Sequence, residues 1–175
     1  WAPMLDRLKL PLLTNLIGQR RSWMLLTQVS ILIGLICMSY IKPEQDLILL
    51  AYLSIMVAFA SASQDVAIDA YRIEIADSKF QAALAASYQL GYRISYIASG
   101  AGALYLAAFF NNWTLTYQIM SAFMLIGIIT VICIPESKKP IRKNNNTNWF
   151  QDNLIEPFGE FFRRNGYWAL FLLMF

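Results

Sequence analysis

Residues 47–72 read LILLAYLSIMVAFASASQDVAIDAYR, and this stretch decides the class of fold. Its first two thirds are apolar, and a helix needs about 20 mostly apolar residues to cross a bilayer. Its last third carries two aspartates and an arginine. Charged side chains are costly in lipid and therefore face protein or water. The stretch predicts a transmembrane helix that has a polar end.

Further apolar runs flank this stretch. Three of them are long enough to span a bilayer: residues 23–41, 82–110 and 114–134. Residues 167–175 start another run, and residues 1–5 are typical of the end of a preceding one. We therefore expect an all-α, polytopic transmembrane bundle of roughly five spans, cut from a longer polypeptide.

The composition agrees with a membrane protein. Of the 175 residues, 58% are hydrophobic and only 14% are charged, whereas soluble domains carry about 25% charged residues. The chain has no histidine, so histidine-based catalysis and the commonest metal ligand are absent. Cys37 and Cys133 lie in apolar runs and are expected to be packing residues rather than a disulfide or a metal pair. We expect no cofactor and no metal.

The positive charges predict how the chain is oriented in the membrane. Twelve of the 14 Lys and Arg residues lie in or beside three connectors on one side of the bilayer, residues 5–22, 71–80 and 135–166. Lys42 is alone on the other side. Since basic loops stay inside the cell, we expect the three connectors to be cytoplasmic. Basic residues divided among loops in this way do not favour nucleic-acid binding.

Residues 135–166 form the longest connector. Residues 137–148 are polar and of low complexity, which is typical of a disordered linker. After them, aromatic and aliphatic residues recur at helical spacing, although Pro157 would kink or break a helix there. This pattern predicts an amphipathic helix, either at the membrane surface or packed against the ends of the spans.

Two neighbouring spans carry ionisable residues, which are candidates for substrate binding or proton coupling. Asp65 and Asp69 lie four residues apart, on one helical face, and Asp69 can pair with Arg72. Arg93, in the next span, needs a carboxylate or an aqueous cavity, and Asp65 is the nearest candidate in sequence. The alternative for all of these charges is a clamp between helices that transports nothing.

Several short motifs resemble the AmpG-type muropeptide permeases of the major facilitator superfamily. They are Trp1-Ala2-Pro3, Leu5-Asp6-Arg7, Gly18-Gln19-Arg20-Arg21, the sequence ASQDVAIDAYR at residues 62–72, Gly91-Tyr92-Arg93 and Pro135-Glu136-Ser137. The core Gln64-Asp65-x-Ala67-x-Asp69 is shared with the related acetyl-coenzyme A transporters. The resemblance extends over nearly the whole chain.

The resemblance implies a fold of twelve or more helices in two six-helix halves. Residues 1–134 would then form the bundle of the first half, from the end of the second span to the sixth. Residues 135–166 would be the cytoplasmic linker with its amphipathic helix, and residues 167–175 would start the seventh span. The other half of the transporter would be a necessary partner.

The resemblance also implies a function, namely proton-coupled import of anhydromuropeptides from the periplasm across the bacterial inner membrane. The substrate, a sugar-peptide, would bind near the midplane between the halves. Asp65 and Asp69 would couple transport to protons, since a carboxylate in a poorly hydrated site is readily protonated. The implied substrate residues are Gln64, Gln89, Tyr92, Arg93 and Tyr96. The implied cytoplasmic gating latch consists of Asp6, Arg7, Arg20 and Arg21.

Three other functions remain open at this level. The chain could belong to a transporter of another cargo, such as acetyl-coenzyme A, a sugar or a drug. It could belong to a membrane-embedded transferase, for which only Asp65, Asp69 and Glu74 offer catalytic groups near the interface. It could also be an inactive fragment, because an alternating-access site needs both halves.

Overall fold

The computed structural model of the chain describes residues 5, 10, 13–136 and 163. In this part of the chain, four helices are long and apolar enough to cross a membrane. The expected all-α transmembrane bundle is confirmed, and the predicted span that starts at residue 167 lies outside the described residues. The α-helices are α1 (Leu13–Ile17), α2 (Gln19–Tyr40), α3 (Leu47–Ile75), α4 (Gln81–Ile97), α5 (Ala103–Phe110) and α6 (Trp113–Cys133).

The third span, Ser78–Phe110, is built from four consecutive pieces. A 3₁₀ turn at Ser78–Phe80 leads into α4, and a π-helical segment at Ala98–Gly102 joins α4 to α5. The π segment contains two glycines with open space around them. Single π-helical turns within α-helices are found frequently at functional sites. The segment separates the polar α4 from the apolar α5.

The predicted spans agree with the observed helices to within a few residues, except at one end. The stretch predicted as the second span ends at residue 72, but α3 continues to Ile75. The last turn of α3 carries Arg72 and Glu74, and both side chains form ion pairs. Because paired charges cost less than isolated ones, the polar end can remain helical.

Helix α2 lies at the centre of the bundle and packs against α3 and α6. Ten of its residues are buried, against three each in α3 and α6. The buried core between the three helices contains Met24, Leu25, Ala67 and Val131. Gly34 of α2 leaves room for side chains of α3, since a Cβ there would overlap the Val57 side chain. These contacts hold α2, α3 and α6 together as one packed unit.

Helix α4 is peripheral and has no buried residue. Its half-buried side chains are Gln81, Leu84 and Tyr88, which share one face at helical spacing. The Gln81 amide donates to carbonyls at the end of α3 and just beyond it, at 3.3 Å for Ile73 and 3.0 Å for Ala76. Helix α4 therefore meets α3 along its first two turns and leaves the rest of its surface open.

The turn between α5 and α6 explains why the span ends there. Asn111 adopts the left-handed conformation, with φ 47°, which asparagine tolerates better than most residues. The Asn112 side chain then accepts a hydrogen bond from the Leu115 amide at 3.3 Å. This is an N-cap, which satisfies one of the free amides at the start of α6.

The two cysteines are free thiols. Cys37 lies on α2 and Cys133 ends α6, and both are exposed on the surface of the bundle. The helices turn both side chains away from the α2–α3–α6 core, so their expected role as packing residues stays a prediction.

The chain divides into two units, Trp1–Lys139 and Pro140–Phe175. In the second unit the structure describes Arg163, which is helical and exposed. The predicted amphipathic helix and the start of the next span, at residues 167–175, lie outside the described residues. The division at residues 134 and 166 stays a prediction.

Candidate functional site

Four of the five predicted substrate residues lie together on one face of α4. Helical steps of three and four place Gln89, Tyr92, Arg93 and Tyr96 on that face. Together with Ile97 they line an open cavity of about 370 Å³. The rings of Tyr92 and Tyr96 stack, with centroids 6.4 Å apart. One helix thus offers an amide, a guanidinium and two phenols to the same space, which we call the α4 cavity.

Arg93 lines the α4 cavity and is exposed. Among the residues that the structure describes, no carboxylate forms an ion pair with Arg93. Of the two alternatives for Arg93, a carboxylate or a cavity, the structure shows the cavity: Asp65 is not its partner, because α4 separates from α3 beyond its first two turns. The N–H donors of the guanidinium are available to a ligand.

Gln64 does not join the other four predicted substrate residues. It lies on α3 and is half-buried, and it is not among the described residues that line the α4 cavity. Its buried Oε1 atom has no hydrogen-bond partner in the described part of the chain. A buried acceptor of this kind normally has a donor, so Gln64 keeps an open hydrogen-bonding position.

The two aspartates of α3 have different surroundings. Asp69 lies 3.2 Å from the Arg72 guanidinium, close enough for an ion pair, although Asp69 Oδ1 has no hydrogen bond of good geometry. Asp65 is exposed, and within the described residues it forms no ion pair. The guanidinium of Arg72 also lies 5.2 Å from the centroid of the Tyr88 ring, a cation–π contact with α4.

A second polar cluster joins one end of α2, α3 and α6; we call it the arginine clamp (Arg20, Arg21, Glu74 and Glu136). Arg20 donates two hydrogen bonds to Glu74 Oε1, from Nη2 at 2.6 Å and from Nε at 3.1 Å. Its backbone amide donates to Glu136 Oε1 at 3.4 Å. The Arg20 and Glu74 side chains are only 9% and 19% exposed, so their interaction is little screened by water.

Arg21 completes the clamp by capping α6. Its guanidinium donates to the carbonyls of Val131 at 2.9 Å and Ile132 at 2.6 Å. These carbonyls belong to the last turn of α6, where the helix dipole favours a cation. The Tyr71 hydroxyl of α3 donates to the Pro135 carbonyl just beyond α6, at 2.6 Å. Three helices are therefore tied together at one end.

Gly18 makes the approach of Glu136 possible. Its φ of 93° lies in the left-handed region that favours glycine. A Cβ atom at this position would overlap the Glu136 carboxylate. The carboxylate thus reaches the start of α2, where free backbone amides and the helix dipole favour a negative charge.

Three residues make contacts in these clusters that the sequence did not predict: Tyr88, Glu74 and Glu136. Glu136 had a signal, since it belongs to the Pro135-Glu136-Ser137 motif, but the motif does not say what its carboxylate contacts. Of the predicted latch, Asp6 and Arg7 lie outside the described residues. No group of three or more His, Cys, Asp and Glu side chains in the described ranges is placed to hold a metal ion.

Comparison with known proteins gives the relatives of this chain. The model of the Major Facilitator Superfamily matches residues 1–175. The chain is 37% identical over 169 residues to "Putative transporter AmpG 4" of Rickettsia conorii, which covers 94% of this chain and 40% of that protein. It is 33% identical over 176 residues to "Anhydromuropeptide permease" of Escherichia coli K12, covering 99% of this chain and 34% of that protein.

A third relative is an uncharacterized protein of Haemophilus influenzae, 36% identical over 167 residues. The match covers 95% of this chain and 38% of that protein. The chain thus spans well under half the length of these curated relatives.

Proposed function

Because this chain belongs to the major facilitator superfamily, we propose that it forms part of a secondary transporter that imports anhydromuropeptides into the cytoplasm, coupled to protons. The family and the four apolar helices make it a multi-pass membrane protein. The cargo is proposed from relatives such as the "Anhydromuropeptide permease" of Escherichia coli. The observation that carries the proposal is the gathering of Gln89, Tyr92, Arg93 and Tyr96 around one open cavity.

The chemistry of the α4 cavity fits a sugar-peptide. An amide and phenolic hydroxyls can donate to and accept from sugar hydroxyls and peptide amides, as Gln89, Tyr92 and Tyr96 would do. Arg93 would bind a carboxylate of the peptide through charge-assisted hydrogen bonds. Gln64 would contribute from α3 only in a conformation that brings α3 and α4 closer. The bound substrate would be enclosed when the other half of the transporter covers the cavity.

Asp65 is our proposed proton carrier. It is exposed and has no ion-pair partner in the described part of the chain, so its protonation breaks no ion pair seen there. Asp69 lies 3.2 Å from the Arg72 guanidinium and forms an ion pair with it. We therefore propose that Asp69 positions Arg72 and supports Asp65.

The arginine clamp supports the proposed cytoplasmic latch. The contacts that the structure describes for Arg20 and Arg21 join helices of this bundle to one another. We propose that Glu74 and Glu136 are their counter-ions at the cytoplasmic end, and that the clamp makes α2, α3 and α6 move as one body. Asp6 and Arg7 stay predicted members of the latch. The positive-inside rule supports the cytoplasmic placement, in the bacterial inner membrane.

The test is uptake of labelled anhydromuropeptide by cells that lack their own permease and express the complete gene product, with and without a protonophore. We expect uptake that collapses with the proton gradient. Arg93→Ala should abolish uptake at unchanged abundance in the membrane, whereas Lys42→Ala, an exposed cation in the connector between α2 and α3, should leave it intact.

Two outcomes would contradict the proposal. Uptake by Arg93→Ala at the level of the unmodified protein would remove the assigned role of that residue. No uptake by an unmodified protein that is present in the membrane would point to another cargo or to an inactive fragment. Uptake of labelled sugars, drugs or acetyl-coenzyme A would then separate these cases.

A further inference from the structure

Tyr88 marks the point at which α4 leaves α3. The half-buried side chains of α4 end with Tyr88, and every residue from 89 to 97 is exposed. The next residue along the helix, Gln89, is the first that lines the α4 cavity. The orientation of the cavity face relative to α3 therefore depends on what holds Tyr88.

Tyr88 is contacted by Arg72 of α3. The Arg72 guanidinium lies 5.2 Å from the centroid of the Tyr88 ring and 3.2 Å from the Asp69 carboxylate. It is thus shared between an aromatic face on α4 and an aspartate on α3. Asp65 lies one helical turn before Asp69, on the same face of α3. A change of charge at either aspartate alters the forces on this contact.

We propose that Tyr88 is a positioning residue that connects the aspartate pair of α3 to the substrate face of α4. This inference rests on the proposed function. When Asp65 gains a proton, this face of α3 loses one of its two negative charges, and the Arg72 cation, still paired with Asp69, rebalances toward the Tyr88 ring. The angle at which α4 departs from α3 then changes, and the cavity face that begins at Gln89 moves with it.

The transport test compares substitutions that keep or remove the aromatic face. In the complete gene product, Tyr88→Leu should lower proton-driven accumulation about fivefold, the equilibrium factor that corresponds to a cation–π contact of about 1 kcal/mol. Counterflow, which exchanges substrate without a proton gradient, should be unchanged. Tyr88→Phe keeps the ring and should accumulate normally. Tyr105→Leu is the matched control, because Tyr105 is exposed and its ring stacks on Phe109.

Three results would overturn the inference. Equal losses of accumulation and counterflow in Tyr88→Leu would make Tyr88 a substrate contact. If Tyr88→Phe and Tyr88→Leu lost accumulation equally, the aromatic ring would not be the feature that positions α4. Normal accumulation in Tyr88→Leu would exclude a positioning role altogether.

A second measurement does not depend on the cargo. Spin labels at Ile55→Cys on α3 and Ile94→Cys on α4, both at exposed positions, report the distance between the helices beyond Tyr88. In a background without Cys37 and Cys133, Tyr88→Leu should broaden the distance distribution and Tyr88→Phe should not. An unchanged distribution in Tyr88→Leu would overturn the inference. If the unmodified protein takes up no anhydromuropeptide, the proposed function fails. The distance distribution would still test whether Tyr88 positions α4 relative to α3.

Discussion

Replacing Glu74 with alanine should destabilise the protein more than any substitution of an exposed acidic residue. Removing one partner of a buried ion pair costs about 3–5 kcal/mol. Here Arg20 and Glu74 keep 9% and 19% of their side-chain exposure, and Arg20 retains other contacts, including its amide to Glu136. We therefore expect a loss of about 2–3 kcal/mol in the free energy of unfolding, below that range.

The assay is thermal unfolding of the purified, complete gene product in detergent. A loss of this size lowers the apparent melting temperature by about 5 °C in a protein of moderate length. Glu44→Ala, an exposed carboxylate in the connector between α2 and α3, is the matched control and should change little. A double-mutant cycle with Arg20→Met isolates the pairwise energy. If Glu74→Ala had the same melting temperature as Glu44→Ala, the ion pair between Arg20 and Glu74 would not stabilise the protein. The same would follow if the effects of Glu74→Ala and Arg20→Met on stability were additive.

Three further predictions follow from single side chains. Gly18→Ala should cost about 1–2 kcal/mol because φ is positive there, and part of the loss should persist when Glu136 is also alanine, as measured by thermal unfolding. Asn112→Ala should remove the N-cap of α6 and cost about 1 kcal/mol, whereas Asn112→Asp should keep it, in the same assay. Asp65→Asn should abolish proton-driven accumulation and retain counterflow; accumulation at the normal level would contradict its role as the proton carrier.

The spans were predictable because the bilayer imposes a length and an apolar composition on each of them. With no water to satisfy the backbone, a spanning segment must close its own hydrogen bonds as a helix. Residues 47–72 alone therefore predict that this region is helical and lies in the bilayer. The helix end at Ile75 was not predictable, because it depends on the partners of Arg72 and Glu74, which lie on other helices or one turn away.

The α4 cavity was predictable in part for a related reason. Gln89, Tyr92, Arg93 and Tyr96 lie on one helix, so their spacing alone places them on one face. Gln64 lies on a different helix, and its relation to the other four depends on how α3 and α4 are rotated and tilted. That relation is not a property of local spacing, and the structure leaves Gln64 apart from the cavity.

The sequence by itself determined that the chain is helical, that it spans the membrane and which polar residues lie on the face of α4. Only the tertiary structure decided which charges meet. Arg20 pairs with Glu74, 54 positions away, and its amide reaches Glu136, 116 positions away. Arg93 does not pair with Asp65, although the sequence makes them the nearest candidates. Helical periodicity acts over a few residues, whereas an ion pair between helices depends on packing, and in this chain the close approach of α2, α3 and α6 sets that packing.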